Sequence, residues 1–195
     1  PGATTGLMEG MSASVNEWVS TGRADIGMVF NAQPSPALEV MPVLNEAMFL
    51  VAPPRARVRA KAIPLRQVPR YRLVIPSRPN ANRMLIDVEL GHLGLKPTIA
   101  LELDSVASVL DAVREGYGYA VLPPTSLRSY GALSSFVVRP IIRPRLLIQI
   151  SLIVSAQRPT TPLAQQAVRH LHELGREVDA DLDVDAWRIL DVVAG

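Results

Sequence analysis

The sequence predicts an α/β protein in which parallel strands are covered by helices, and three observations carry that expectation. The segment Ile99 to Ser126 holds an apolar run, an amphipathic helix and a second apolar run, the order of a β-α-β crossover. Its helix is read from Val106, Val109, Leu110 and Val113, whose spacing puts them on one face. The helix–glycine–strand order of Ser12 to Phe30 matches that of Val106 to Leu122, which points to two lobes of similar construction.

Within the crossover, Asp104 or Ser105 is the expected N-cap, because either side chain can accept from the free N–H groups of the first turn. Gly116 stands where the helix must end, since a left-handed residue costs glycine almost nothing. Tyr119 to Leu122 reads as a buried strand, and Pro123-Pro124 removes the donors that would extend it. The helix start then lies at the carboxyl end of a strand, where open α/β sheets take ligands. On these residues alone, Asp104 and Ser105 read first as a cap, because most caps bind nothing.

In chain order, Thr4 to Met8 is a candidate short strand. Ser12 to Gly22 reads as a helix: Ser14 and Glu17 have capping-box spacing, Val15, Trp18 and Val19 form the apolar face, and Gly22 stops it. Asp25 to Phe30 is a buried strand, and Asn31 to Ala37 a loop with Pro34 and Pro36. Leu38 to Val43 and Glu46 to Val51 are two separate apolar runs. Ile63 to Val68 makes a helical turn, Arg72 to Ile75 a strand closed by Pro76, and Ser77 to Asn82 a donor-rich loop. A helix over Arg83 to Leu93 should bury Met84, Ile86, Val88 and Leu93 and stop at Gly94, and Pro97 to Leu103 is the strand that feeds the crossover. Leu127 to Gly131 is a turn, Leu133 to Val138 a candidate edge strand, and Leu146 to Val154 the longest strand candidate, able to pass between lobes. Pro162 heads the last clear helix, with Leu163, Ala167, Val168, Leu171 and Leu174 inward. Beyond it, Asp179, Asp181, Asp183 and Asp185 read as a solvated acidic linker, and Ala186 to Val193 as a terminal helical turn.

The 195 residues are 48% hydrophobic, enough for one domain or two small lobes with real cores. Without cysteine there is no disulfide, thiol nucleophile or cysteine-bound metal, and a reducing compartment is permitted. No apolar run approaches the ~18 residues of a membrane span and no leader pattern opens the chain, so a soluble protein is expected. The net charge of +2 hides an asymmetry. Arg55, Arg57, Arg59, Lys61, Arg66, Arg70, Arg72, Arg78 and Arg83 come with no intervening acid, whereas residues 176–195 hold six acids and two arginines. Prolines interrupt the basic stretch and it lacks helical spacing, so it reads as a solvated face and not as a DNA-binding surface.

Chemistry is sparse. His92, His170 and His172 are the only histidines, and the last two, two apart on a helix, point in different directions and cannot share a metal. HExxH, GxSxG and phosphate-loop patterns are absent. Gly116-Tyr117-Gly118 lacks a third glycine and precedes a strand, so it is no dinucleotide fingerprint. An Asp104–Ser105 pair without an adjacent histidine is a poor nucleophile system. No catalytic residue, metal or cofactor is therefore expected. Binding remains: the Ser77 to Asn82 loop and the Asp104–Ser105 start follow the carboxyl ends of two strands. Together they offer N–H groups, hydroxyls and Arg78 or Arg83 to a small anion. Singly each is an ordinary capped loop; their arrival at one sheet edge points to a ligand.

An ordered series of segments then resembles the effector-binding domain of LysR-type transcriptional regulators, over roughly Gly10 to Glu173. The series is Trp18-Val-Ser-Thr-Gly-Arg-Ala-Asp-Ile-Gly27, Pro42-Val-Leu-Asn-Glu46, Phe49-Leu-Val-Ala-Pro53, Leu73-Val-Ile-Pro76 with Arg83 and Ile86-Asp87, Val113-Arg-Glu-Gly-Tyr-Gly-Tyr-Ala-Val-Leu-Pro123, and Leu152-Ile-Val-Ser155 before Pro162-Leu163. The Ser77-Arg-Pro-Asn80 loop and Gly131-Ala-Leu-Ser134 look closest to the nitrogen-assimilation branch. The resemblance implies a two-lobed, periplasmic-binding-protein-like (type 2) fold, each lobe a mostly parallel sheet flanked by helices, with the first strand and helix of lobe one missing. Lobe one would be residues 1–50 and 151–178, lobe two 51–150, and 179–195 an acidic tail, with crossings near Leu50–Pro53 and Gln149–Ser151.

The resemblance also implies a cytoplasmic, non-enzymatic module that holds a small metabolite, such as a small organic acid, between its lobes. Ser77, Arg78, Asp104 and Ser105 would line the cleft from lobe two, with Thr125 just beyond Pro123-Pro124. Operator DNA would be reached only through an absent winged helix-turn-helix, and the full-length regulator would be a dimer or tetramer away from any membrane. An acid at Asp104 departs from the family's usual hydroxyl or smaller residue and would repel a carboxylate unless Arg78 or Arg83 offsets it. A solute-binding protein of a transport system is the alternative, because it shares the fold.

Overall fold

The computed structural model describes residues 4–129 and 135–175. Residues 4–11 have no regular structure and Leu7 is 88% exposed, so the strand expected at Thr4 to Met8 does not form. No described strand pairs with it, and an unpaired run of five cannot satisfy its backbone in a ladder. Helix α1 (Ser12–Thr21) follows, capped by Gly22 in the left-handed region (φ 83°) with its N–H turned back to Val19 O. The capping box does not form: Met11 is the N-cap, and the Ser12 hydroxyl accepts instead from the Phe30 N–H at 3.1 Å.

The first sheet is β1 (Ile26–Phe30), β2 (Leu38–Ala47) and β9 (Leu147–Ser155), in the order β1-β9-β2. Its described ladders are both antiparallel, against the mostly parallel sheet expected. Connectivity explains this: β2 carries the chain out of the sheet and β9 brings it back, so the two must run oppositely. The two runs expected at Leu38 to Val43 and Glu46 to Val51 are divided differently. A bulge at Val43 lets β2 continue through Asn45 to Ala47, and a new strand begins at Phe49. Val15 and Val19 of α1 pack on Val29 and Ile153. Gly27 makes that approach possible, because a Cβ there would lie 2.6 Å from Val15 Cγ1.

The second sheet holds β3 (Phe49–Ala52), β4 (Ile63–Pro64), β5 (Arg72–Ile75), β6 (Thr98–Glu102), β7 (Ala120–Leu122) and β8 (Val137–Ile142). Its order is β6-β5-β7-β3-β8-β4, with β5 and β7 joined by a parallel bridge between Leu73 and Tyr119. Every strand but β3 shares one direction. Helix α3 (Val106–Arg114) carries the chain from β6 over β5 to β7, the crossover read from the sequence. Val109, Leu110 and Val113 pack on Phe49, Val51, Val74 and Leu122. Each such side chain contributes roughly 1.5–3 kcal/mol on burial. Gly118 lets β7 start against β5, since a Cβ would stand 2.5 Å from Arg72 O. The GxG is backbone punctuation.

The Ile63 to Val68 turn is a two-residue strand followed by a 3-10 helix over Leu65–Arg70. Helix α2 (Ala81–His92) buries Arg83, Ile86 and Leu90 and leaves Met84, Val88 and Leu93 exposed. The buried arginine turns the helix, because it finds acid partners inward. Beyond Pro123, α4 (Pro124–Ser129) is a short helix where a turn was expected, and residues 130–134 lie outside the described set. Strand β8 is internal, not an edge, because β4 covers its far side. A helix over 162–175, α5, has Ala164 buried but Leu163 and Leu174 exposed. The acidic linker and the turn at Ala186 to Val193 fall outside the described residues.

The chain changes sheet at Met48, whose N–H donates to Leu146 O, and returns through Leu146 into β9. These points precede the expected crossings, because Leu50 to Ala52 already pair in the second sheet and Gln149 to Ser151 pair in the first. Among the described residues no helix is long and apolar enough to cross a membrane.

Candidate functional site

The segments that leave the carboxyl ends of the neighbouring parallel strands β6, β5 and β7 carry Asp104 and Ser77 on loops and Thr125 in the first turn of α4, respectively. The Leu103 N–H donates to Ile75 O at 3.1 Å, which holds the first two loops side by side. There the Ser77 N–H donates to Asp104 Oδ1 at 3.0 Å, and the Ser77 hydroxyl donates to the same oxygen. Those bonds, the hydroxyl's above all, hold the Asp104 carboxyl below its ordinary value, so it is ionised at neutral pH. Ser105 is the N-cap of α3 by position, but its side chain makes no capping bond. Asp104 spends itself across the loops instead of on the helix.

Arg78 is committed elsewhere. Its guanidinium meets Asp87 Oδ2 at 2.7 Å, and its side chain is 63% exposed. Asp87 also takes Arg83 at 2.9 Å, and Arg83 reaches Glu102 at 2.6 Å and Pro76 O at 3.2 Å. Burial pulls the Arg83 pKa down, but the bonds from Glu102 and Asp87 outweigh it and the guanidinium stays charged. Arg83 is therefore a brace under the Pro76 to Asn80 loop, not a ligand contact able to offset Asp104. The brace needs arginine, because only a rigid fork serves two carboxylates and a carbonyl at once.

Thr125 is held by Glu46, the acid at the head of the apolar run Glu46 to Val51. Glu46 of β2 is 2% exposed, and its carboxylate accepts from the Thr125 N–H at 3.0 Å and from the Thr125 hydroxyl at 2.7 Å. Burial raises the Glu46 pKa, opposed by the two Thr125 bonds and the positive charge of Arg128. One signal in the sequence marks Glu46: an acid inside an apolar strand needs a partner. Through this contact the end of the first sheet meets the carboxyl edge of the second.

The structure thus brings Ser77 and Asp104 together, with Ser105 adjacent. It ties Arg78 to α2 and Thr125 to Glu46, and among the described residues no hydrogen bond joins Thr125 to the Ser77–Asp104 pair. A cavity of about 100 Å³ lies apart from all of these, lined by Asp25, Ser155, Arg158, Thr160 and Thr161. It is small beside the ~300 Å³ of ordinary metabolite pockets, and Arg158 already donates to Val19 O. No group of three or more metal-ligating side chains occurs among the described residues.

Comparison with known proteins addresses the family and the fold. The nitrogen assimilation regulatory protein nac of Escherichia coli (strain K12) is 27% identical over 166 residues, covering 85% of this chain and 53% of its own length. The chain thus spans about half the length of such relatives. Among solved structures, the effector binding domain of QuiR in complex with shikimate superposes with a TM-score of 0.76 at 17% identity, covering 86% of this chain and 79% of its own. The Synechocystis PCC6803 CcmR regulatory domain in complex with 2-PG superposes at 0.74 and 17%, covering 85% and 80%. At that identity the likeness concerns the fold, which is the two-lobed, periplasmic-binding-protein-like one. The model of the LysR substrate binding domain matches residues 1–176, and the chain belongs to that family.

Proposed function

We propose that this chain is the effector-sensing part of a cytoplasmic transcription regulator and binds a small metabolite without transforming it. The observation that carries the reading is the convergence of the Ser77 and Asp104 loops and the α4 start at Thr125 on one sheet edge, opposite the end of β2. Operator DNA would be contacted by a part of the regulator outside this chain, and the regulator would work as a homo-oligomer. The ligand would sit between the two lobes, against Ser77, Arg78, Asp104 and Ser105, with Thr125 at the margin.

The hydrogen bonds describe what such a ligand must bring. The hydroxyl protons of Ser77 and Thr125 are spent on Asp104 and Glu46, so those oxygens can only accept. Donors remain at the Ser105 hydroxyl and the first N–H groups of α3, next to the Asp104 charge. A carboxylate alone would meet that charge; a hydroxylated acid brings donors for the acceptors and an anion for the helix start. Shikimate, named with the QuiR domain, is of that type. Calorimetric titration of hydroxylated acids, simple carboxylates and amines is the test. Ser105→Ala and Arg78→Ala should each weaken the best ligand by about tenfold with the fold intact. Equal affinity in both variants would sink the site, and a chain that binds none of the three classes would sink the sensing role.

A further inference from the structure

We propose that Glu46 is the clasp between the two sheets, a positioning residue that acts through Thr125 on how the lobes sit relative to each other. Glu46 is two residues before Met48, where the chain changes sheet, and it pairs with Ile148 beside the return at Leu146. Both crossings therefore lie within a few residues of its backbone. Its side chain does not stay in its own sheet. It reaches the start of α4, 79 residues further on, and takes the N–H and the hydroxyl of one residue with its two oxygens. Leu127 of the same short helix is fully buried in the second core with Phe49, Val51 and Val109, so whatever holds α4 holds that core.

Two chain crossings alone form a hinge that can twist. A side-chain bond from one sheet to the far one, placed beside the hinge, removes that freedom at one point. A carboxylate suits the task, because it accepts two bonds at once and hydrogen bonds to charged groups are the stronger kind. The inference does not depend on which side chains hold a ligand; it rests on the contact between β2 and α4 alone.

The chain has no cysteine, so nitroxide labels on Glu17→Cys in α1 and His92→Cys in α2 report one distance between the two lobes. In the full chain, pulsed dipolar spectroscopy should give a narrow distribution. Glu46→Ala and Thr125→Val should each shift or broaden it, and in Glu46→Ala the Thr125 amide should exchange its hydrogen about tenfold faster. Thr125→Ser, which keeps both donors, should restore the parent distribution. Thr98→Val removes a hydroxyl bond confined to the second sheet, to Pro69 O, and should leave the distance unchanged. If Glu46→Ala does not fold, Thr125→Val and Thr125→Ser decide the matter. The clasp is overturned by an unchanged distribution in folded Thr125→Val, by failure of Thr125→Ser to restore it, or by an equal shift in Thr98→Val.

Discussion

Asp104 and Glu46 each accept two hydrogen bonds from a single residue, one from its backbone N–H and one from its hydroxyl. The chemistry is the same and the outcomes are opposite. Asp104 is exposed, and the Ser77 bonds set its pKa low. Glu46 is buried, and loss of water raises its pKa against two equivalent bonds and a nearby arginine. Two donors are thus enough to steady a solvated carboxylate but not to replace the hydration of a buried one. The exposed pair joins neighbouring loops within one sheet through one oxygen of Asp104. The buried pair joins two sheets and leaves only the Thr125 hydroxyl oxygen free to accept.

That contrast can be broken most strongly at Glu46. Glu46→Ala leaves the Thr125 N–H and hydroxyl without their partner, and should lower unfolding stability by roughly 2–3 kcal/mol in urea titrations. Glu46→Gln isolates the effect of charge. A raised folded-state pKa favours the fold below the ordinary value of 4.5, and that contribution is lost as pH rises through the higher folded value. Relative to Glu46→Gln, the parent should therefore lose stability as pH climbs from about 4.5. Asp104→Asn should show the opposite sign: a lowered pKa stabilises above the ordinary 3.8, and this is lost as pH falls through the lower folded value. Because Asp104 is exposed, the change should be the smaller of the two. Least of all, Ser77→Ala should move the Asp104 titration midpoint upward toward 3.8 in carboxyl NMR and leave Glu46 unmoved.

The sequence made much of the second sheet legible. The helical spacing of Val109, Leu110 and Val113, Gly116 at the helix end and Pro123 after Leu122 correspond to α3, a left-handed glycine (φ 85°) and the end of β7. The Ser77 and Asp104 loops could be put on one edge because local signals mark strand ends and a crossover implies parallel neighbours. Pairing partners were harder to read. The antiparallel β1-β9-β2 ladders and the internal place of β8 depend on which distant strand arrives next to which, and residue periodicity does not encode that. Charge partners were hidden for the same reason. Glu102, which occupies Arg83, and Thr125, which occupies Glu46, lie 19 and 79 residues away in sequence, and no local pattern pairs them.

The central claim is that the exposed pair, and not the buried one, meets the effector. Amide shifts in a nitrogen-15 NMR titration of the full chain, using the tightest binder of the calorimetric panel, test it most directly. The largest shifts should fall at Ser77, Asp104 and Ser105. Shifts centred on Arg158, Thr160 and Ala164 around the small cavity of the first lobe, with Ser77, Asp104 and Ser105 unmoved, would contradict it.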